Sequence, residues 1–212
     1  MSPVAAQAGM TREEVMAFES HKAKAEKGDP EAQHQLGISY GNGKGVATDD
    51  VIAVSWYRKA AEQGHRDAQH FLGRRYMTGK GVEMDKAEAI VWFKKAAEKG
   101  NTSAQLDLGH CLFNGVGIGK DAIQAAYWWH KAADQGSVGA YIILAMRYED
   151  GVGVPKNEVE AYAYWNLAGA NSRISRDNLA ELEKRLSRDE VAAGQKRTKE
   201  LQKEIVAKKA GK

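Results

Sequence analysis

Residues 32–64 read AQHQLGISYGNGKGVATDDVIAVSWYRKAAEQG, and the chain carries four copies of this pattern. A shift of 36 residues aligns Gly28, Gly64, Gly100 and Gly136 without insertion or deletion between residues 28 and 170. A pattern repeated at a fixed period is typical of proteins in which each copy folds as one supersecondary unit. We therefore divide residues 28–171 into repeats 28–63, 64–99, 100–135 and 136–171.

The first part of each repeat predicts a helix of about 12 residues. In the first copy Ala32, Leu36 and Tyr40 are spaced four residues apart, so they share one helix face, and Gly37 places a small residue beside the leucine. The same registers hold Ala68, Leu72, Gly73 and Tyr76; Ala104, Leu108, Gly109 and Leu112; and Ala140, Leu144, Ala145 and Tyr148.

A glycine turn and a second helix complete each repeat. The turn starts at Gly43, Gly79, Gly115 and Gly151, and glycine accepts the left-handed conformation that ends a helix. One register then holds Asp49, Asp85, Asp121 and Asn157, whose side chains can cap the second helix. That helix contains the aromatic pairs Trp56-Tyr57, Trp92-Phe93, Trp128-Trp129 and Tyr164-Trp165 between alanines, which permit close helix packing.

These features predict an all-α fold, a right-handed α-solenoid of four 36-residue helix-turn-helix repeats. The pattern resembles the Sel-1-like repeat of the tetratricopeptide-like superfamily over roughly 144 of the 212 residues. The resemblance implies an adaptor that holds protein partners or peptides. The cysteine-rich secreted members pair two cysteines in each repeat, whereas this chain has only Cys111. Activities of that branch therefore do not carry over.

The segments outside the repeats predict caps. Residues 11–27 predict an N-terminal capping helix, a degenerate half-repeat in which Ser20-His21 replaces the aromatic pair. Residues 172–209 predict C-terminal capping helices, one near 173–186 and one opened by a capping box of Ser187 and Glu190. The last helix has a thin apolar stripe, so it either packs on the fourth repeat or extends free. Residues 1–10 and 210–212 are predicted to be disordered.

Composition argues against two classes of partner. Residues 1–170 carry 19 Lys and Arg against 21 Asp and Glu, and residues 171–212 carry 12 against 7, so the repeats lack the basic stripe of a nucleic-acid reader. Nor does any apolar run reach the length of about 18 residues that indicates a membrane span. We expect a cytoplasmic protein, or a periplasmic or secreted one if a signal peptide preceding a cleavage site near Ala6-Gln7-Ala8 has been removed.

Motifs for catalysis or cofactor binding are missing from the sequence. The glycine turns lack dinucleotide and P-loop spacing and lead into a helix headed by an acid. His34 and His70 share a register and His110 lies one turn further, but no cysteine or carboxylate completes a metal set at a motif spacing. Cys111 is predicted to be a half-buried, inert thiol. We therefore expect no enzyme activity, no cofactor and no metal, and we expect these histidines either to contact a partner or to be solvated.

The partner-binding surface is predicted from first-helix registers that vary among the copies. In a tetratricopeptide-like arrangement they would line a concave groove, together with two neighbouring arginines. The groove set is His34, Ile38, Asn42, His70, Arg74, Arg75, Met77, Thr78, Leu106, His110, Phe113, Asn114, Ile142, Met146, Arg147, Glu149 and Asp150. Its mix of cations and adaptable apolar groups predicts that the groove binds an extended or helical peptide, with an acidic group of the peptide near repeats two and three. The alternative is a partner on the convex side or the basic tail.

Three functions remain open at the level of sequence. The first is a protein-protein interaction adaptor in a bacterial signalling, secretion or stress pathway. The second is an immunity or inhibitor protein that binds and neutralises a toxin or effector, and the third is an enzyme of unrecognised type. Because the capped ends hide the terminal faces, we expect a monomer or weak dimer.

Overall fold

The computed structural model describes residues 10–169 and 172–211. All regular secondary structure in these ranges is helical, which confirms the predicted all-α fold. The predicted disorder of residues 1–9 and 212 lies outside the described residues. Two compact units can be distinguished, Met1–Ala104 and Gln105–Lys212, here called the first and second unit.

The helices follow the predicted order along the chain. They are α1 (Arg12–Ala25), α2 (Pro30–Asn42), α3 (Asp50–Glu62), α4 (Arg66–Thr78), α5 (Lys86–Glu98), α6 (Thr102–Asn114), α7 (Ala122–Ala133), α8 (Val138–Asp150), α9 (Glu158–Ala168), α10 (Arg173–Glu183) and α11 (Arg188–Ala210). Each repeat thus supplies two helices, with the glycine turn between them.

The first unit is a row of helices in which each packs on the next. Helix α1 packs on α2, α2 on α3, α3 on α4, and α4 on α5. The main core cluster contains Tyr57, Leu72 and Trp92 among alanines of the second helices. A smaller cluster joins Phe18 of α1 to Leu36 of α2, so α1 covers the apolar face of the first repeat.

The small residue after the leucine of the first helix has a packing role, shown by the first two repeats. Tyr57 and Phe93, the second aromatics of their pairs, are fully buried. A Cβ atom on Gly37 would overlap the Tyr57 ring, and one on Gly73 would overlap the Phe93 ring. The small residue therefore lets an aromatic ring of the second helix lie directly on the backbone of the first.

The two glycines of each turn have different structural roles. Gly43 and Gly79 end α2 and α4 in the left-handed conformation, with φ of 73° and 69°. The second glycine of each turn, at Gly45 and Gly81, also has positive φ, and a Cβ there would overlap a backbone carbonyl of the preceding repeat or cap. The turn therefore both reverses the chain and seats one repeat on the next.

A buried glutamine links successive repeats of the first unit. Gln33 donates from its side-chain amide to the Ala25 carbonyl at 3.2 Å, and Gln69 donates to the Ala61 carbonyl at 3.0 Å. Both carbonyls lie at the C-terminal end of the preceding helix, where backbone acceptors lack intrahelical partners. The Ala-Gln pair of the repeat thus supplies both close packing and a cap.

In the second unit, α7 packs on α8, α8 on α9, and α9 on both α10 and α11. Trp129, Leu144 and Trp165 are among its most deeply buried side chains. The predicted capping box is present, since Ser187 accepts from the Glu190 backbone N–H while the Glu190 carboxylate accepts from the Ser187 N–H. Among the described residues, no helix combines the length and apolar character needed to cross a membrane.

The structure settles the position of the last helix, which packs on α9 rather than extending free. Gly194 and Leu201 of α11 are buried, and a Cβ on Gly194 would overlap the Tyr162 ring of α9. Arg197 donates from Nε to the Glu160 carboxylate at 2.7 Å. A small residue, one leucine and one ion pair therefore compensate for the thin apolar stripe.

Candidate partner-binding site

The first unit contains an open pocket of about 480 Å³ on α4 and the end of α2. Its lining residues are Asn42, Phe71, Arg74, Arg75, Thr78 and Lys80. Asn42, Arg74, Arg75 and Thr78 belong to the predicted groove set, whereas Phe71 and Lys80 do not. Four of the predicted groove residues of this unit therefore lie around one pocket.

The pocket has an excess of positive charge. Arg75 donates from Nη1 to the Asp50 Oδ1 at 2.7 Å, and Lys80 Nζ lies 3.3 Å from the same oxygen. Arg74 is exposed, and within the described residues no carboxylate pairs with it. Asp50 thus pairs with two of the three cations that line the pocket, and Arg74 is the cation whose charge is left uncompensated.

An aromatic surface lies beside these cations. Phe71 is half-buried and stacks on Tyr57, with 5.3 Å between ring centroids. Asn42 and Thr78, both exposed, add hydrogen-bonding side chains at the edge. A cation, an apolar ring and neutral polar groups within one pocket suit an acidic side chain with an apolar neighbour.

Two histidines of the predicted groove are not on an open surface. His34 and His70 are each 6% exposed, so the prediction that they line an accessible face is wrong. His34 is enclosed by rings of the following helices, with centroids 6.0 Å from Tyr57 and 5.2 Å from Phe71. Residues of the second repeat thus cover His34. Ile38 and Met77, from the same predicted set, are half-buried.

The predicted groove residues of the second unit fall into two groups. Half-buried are Leu106, Phe113, Ile142, Arg147 and Glu149, and exposed are His110, Asn114, Met146 and Asp150. The guanidinium carbon of Arg147 lies 4.7 Å from the centre of the Phe113 ring. Arg147 also pairs with Asp150 at 2.9 Å. Phe113 is therefore covered by a neutralised arginine rather than presented as an open anchor.

Glu149 has an internal role that the sequence did not reveal. Its carboxylate accepts from Trp165 Nε1 at 2.7 Å and from Arg185 Nη2 at 2.6 Å. The prediction that Glu149 belongs to the partner-binding groove is therefore wrong, because its carboxylate is engaged within the protein. Helix α9 brings the Trp165 donor, and the turn after α10 brings the Arg185 cation, to the same carboxylate.

A cluster that sequence reasoning missed joins Glu31, His34 and His65. One ligand atom from each residue lies within 4.8 Å of the others. Glu31 Oε2 is 2.8 Å from His65 Nε2, and the His34 and His65 ring centroids are 4.8 Å apart. The sequence feature that could have indicated this cluster is His65 itself, because the same register holds Asp29, Asn101 and Ser137 in the other copies.

The environment sets the protonation of two members of this cluster. Burial lowers the pKa of His34, and the nearby His65 lowers it further. Hydrogen bonds from Gln35 and His65 lower the pKa of the Glu31 carboxyl. At neutral pH the cluster therefore contains a carboxylate and a neutral buried imidazole.

Cys111 lies apart from any such chemistry. It is buried, and burial raises the pKa of its thiol to about 11. The thiol therefore stays protonated at neutral pH, and only the thiolate is a good nucleophile.

The Sel1 repeat model matches residues 30–65, 66–101, 102–137 and 138–172. The chain belongs to the Sel1 repeat family. The predicted resemblance is thereby confirmed. Sel1 repeats typically form scaffolds for protein-protein interaction, and the fold is generally non-catalytic.

Solved structures of Sel1 proteins from bacteria are similar to this chain. A Sel1 repeat protein from Oxalobacter formigenes is 34% identical with a TM-score of 0.75, over 80% of this chain and 49% of that one. The protective antigen c5321 of uropathogenic Escherichia coli, which displays an SLR fold, is 29% identical with a TM-score of 0.57, over 89% and 48%. The chain thus spans about half the length of each.

A third Sel1 structure shows likeness of fold alone. A protein described as a Sel1 repeat protein from Klebsiella pneumoniae is 22% identical with a TM-score of 0.53, over 87% of this chain and 99% of that one. No curated protein matches the chain.

Proposed function

We propose that this chain is a Sel1 adaptor that binds a partner protein, and that the pocket on α4 takes an acidic side chain of that partner. The observation that carries the proposal is Arg74, an exposed cation without a carboxylate partner in the described part of the chain, beside the aromatic surface of Phe71. Arginine is one of the residue types enriched in binding hot spots.

The neighbouring charges give the pocket its selectivity. Asp50 already holds Arg75 and Lys80 in place through one oxygen, so these cations are positioned before the partner arrives. A carboxylate entering beside Arg74 gains a cation without having to break that pair. Phe71 supplies a ring face for an apolar residue next to the acid. The pocket therefore favours an acidic residue that is adjacent in sequence to an apolar one.

Selection from a random-peptide display library tests this proposal. The wild-type chain is expected to enrich sequences in which Asp or Glu stands beside an apolar residue. Arg74→Ala is expected to weaken binding of the selected peptides by about 1–3 kcal/mol, the range for truncating a hot-spot residue. A higher salt concentration should also weaken their binding, because the charged contact is exposed and is screened by salt.

Arg66→Ala is the matched control. Arg66 is an exposed arginine on the same helix, in its first turn, and it is not among the residues that line the pocket. This variant should bind the peptides as wild type does. Selected peptides that lack acids, or that bind Arg74→Ala and wild type equally well, would contradict the proposal. Capture of the native partner with both variants then extends the test to the full interface.

A further inference from the structure

The cluster of Glu31, His34 and His65 has one unusual member. His34 is 6% exposed, and both of its ring nitrogens are buried without a hydrogen-bond partner within the described residues. Most buried polar side-chain atoms in proteins have such a partner, so an orphaned imidazole calls for an explanation. One nitrogen of His34 lies within 4.8 Å of a ligand atom of both other residues.

The neighbouring junction shows what this position needs for folding alone. There Asn101 caps α6, accepting from the Ala104 N–H at 2.7 Å, and donates to Asp67 of α4 at 2.6 Å. An asparagine is therefore enough both to cap the helix and to link it to the acid of the previous repeat.

At the first junction an imidazole takes the place of that asparagine. His65 Nδ1 accepts from the Ala68 N–H at 3.1 Å, and its Nε2 lies 2.8 Å from Glu31 Oε2. The cap and the link are both preserved. What the histidine adds is a second imidazole beside His34.

We propose that Glu31, His34 and His65 form a binding site for a divalent first-row transition metal ion such as Zn²⁺. Two imidazole nitrogens and one carboxylate oxygen are a ligand set that suits zinc, and three protein ligands leave a fourth position for water or for a partner's side chain. This site was not predicted from the sequence, because the repeat pattern groups His34 with His70 at the same register and with His110 one turn further, and not with His65 or Glu31.

Small side-chain movements bring the donors to metal distance. Zinc bonds of about 2.1 Å place tetrahedral ligands roughly 3.4 Å apart, against a span of up to 4.8 Å here. The Glu31 side chain is 63% exposed and has room to move. Gln35 donates to its other oxygen, Oε1, at 2.7 Å, and so orients the carboxylate as outer-shell partners do.

Binding also exchanges one hydrogen bond of His65. Because Nδ1 accepts from the backbone of Ala68, the neutral ring carries its proton on Nε2 and donates it to Glu31. Coordination through Nε2 moves that proton to Nδ1, so the cap bond is replaced by the metal bond. In the metal-free form the hydrogen bonds of His65 and Glu31 are therefore satisfied, and the unpartnered nitrogens of His34 are what the ion would satisfy.

Zinc titration of the full chain, freed of any affinity tag and treated with chelator, tests the site by calorimetry. We expect one Zn²⁺ per chain, and Co²⁺ in its place should give the visible absorption of a low-symmetry site. Because even outer-shell changes cost about 10–100-fold in metal affinity, His65→Asn and His34→Gln should each lower affinity at least about tenfold. His65→Asn copies Asn101, so its fold is expected to be preserved.

The controls separate this site from surface binding and from the pocket on α4. His110→Asn removes an exposed histidine elsewhere and should bind zinc as wild type does, as should Arg74→Ala. Circular dichroism and urea midpoints confirm that each variant is folded. Should His65→Asn be unfolded, Glu31→Gln takes its place, since Glu31 is exposed. A wild-type chain that does not bind zinc, or a folded ligand variant that binds with wild-type affinity, overturns the proposal.

Discussion

Truncation of Leu72 to alanine tests whether the repeat register sets the core. Leu72 has 0% exposure and packs in the cluster that contains Tyr57 and Trp92. The substitution removes three carbons, which at about 0.8 kcal/mol each amounts to roughly 2.4 kcal/mol of lost burial. A cavity term adds to this where neighbours cannot collapse, and Gly73 next door already holds the Phe93 ring against the backbone. We therefore expect a loss of about 2.5–5 kcal/mol.

Urea unfolding followed by far-ultraviolet circular dichroism measures this loss. Val51→Ala is the control, because Val51 is 67% exposed and its truncation should change stability by no more than about 0.5 kcal/mol. In a thermal melt, each kcal/mol corresponds to roughly 2–4 °C at this chain length. If the two variants unfold at the same urea concentration, the register derived from the Leu-Gly pair is wrong.

Three further predictions concern a cap, a titration and the last helix. Asp85→Ala removes the acceptor for the Glu88 N–H at 2.9 Å and should cost about 1 kcal/mol in urea unfolding, which Asp85→Ser should largely restore. Burial lowers the pKa of His130 in the folded state, so the unfolded chain takes up a proton there more readily. The free energy of unfolding is therefore unaffected by this group above its unfolded-state pKa near 6.5, and it decreases as the pH falls from there through the folded-state pKa. Urea midpoints from pH 7 to pH 5 should therefore fall more steeply for wild type than for His130→Gln, and parallel curves would contradict this. Leu201→Ala should speed amide hydrogen exchange in α11 while α8 stays protected, and unchanged exchange would show that Leu201 does not hold the helix on α9.

Several residues that line the pocket on α4 could be predicted, because variation among the copies marks registers not needed for packing. Arg74 and Thr78 were identified in this way and do line the pocket. Which cation remains available could not be predicted, because Arg74 and Arg75 are neighbours in sequence. Only the approach of Asp50, on another helix, neutralises Arg75 and leaves Arg74 uncompensated.

The histidines show the limit of register arguments. One register holds His34 and His70 in the first two copies but Leu106 and Ile142 in the last two. This variation suggested that the register lies on the surface. His34 is nevertheless buried, because α2 is covered there by the second repeat as well as by its own partner helix. Variation among copies therefore marks a difference in neighbours as often as a difference in function.

The sequence by itself determined the helices, their order and their ends. These depend on local chemistry: leucine at helical spacing, glycine where φ must be positive, and an aspartate or asparagine that caps the second helix by accepting from a backbone N–H of its first turn. The tertiary structure decided which side chains meet across repeats. Glu31 and His65 are 34 residues apart, Arg75 and Asp50 are 25 apart, and Arg197 and Glu160 are 37 apart. Such pairs depend on the stacking distance and rotation between helices, which a one-dimensional pattern does not contain.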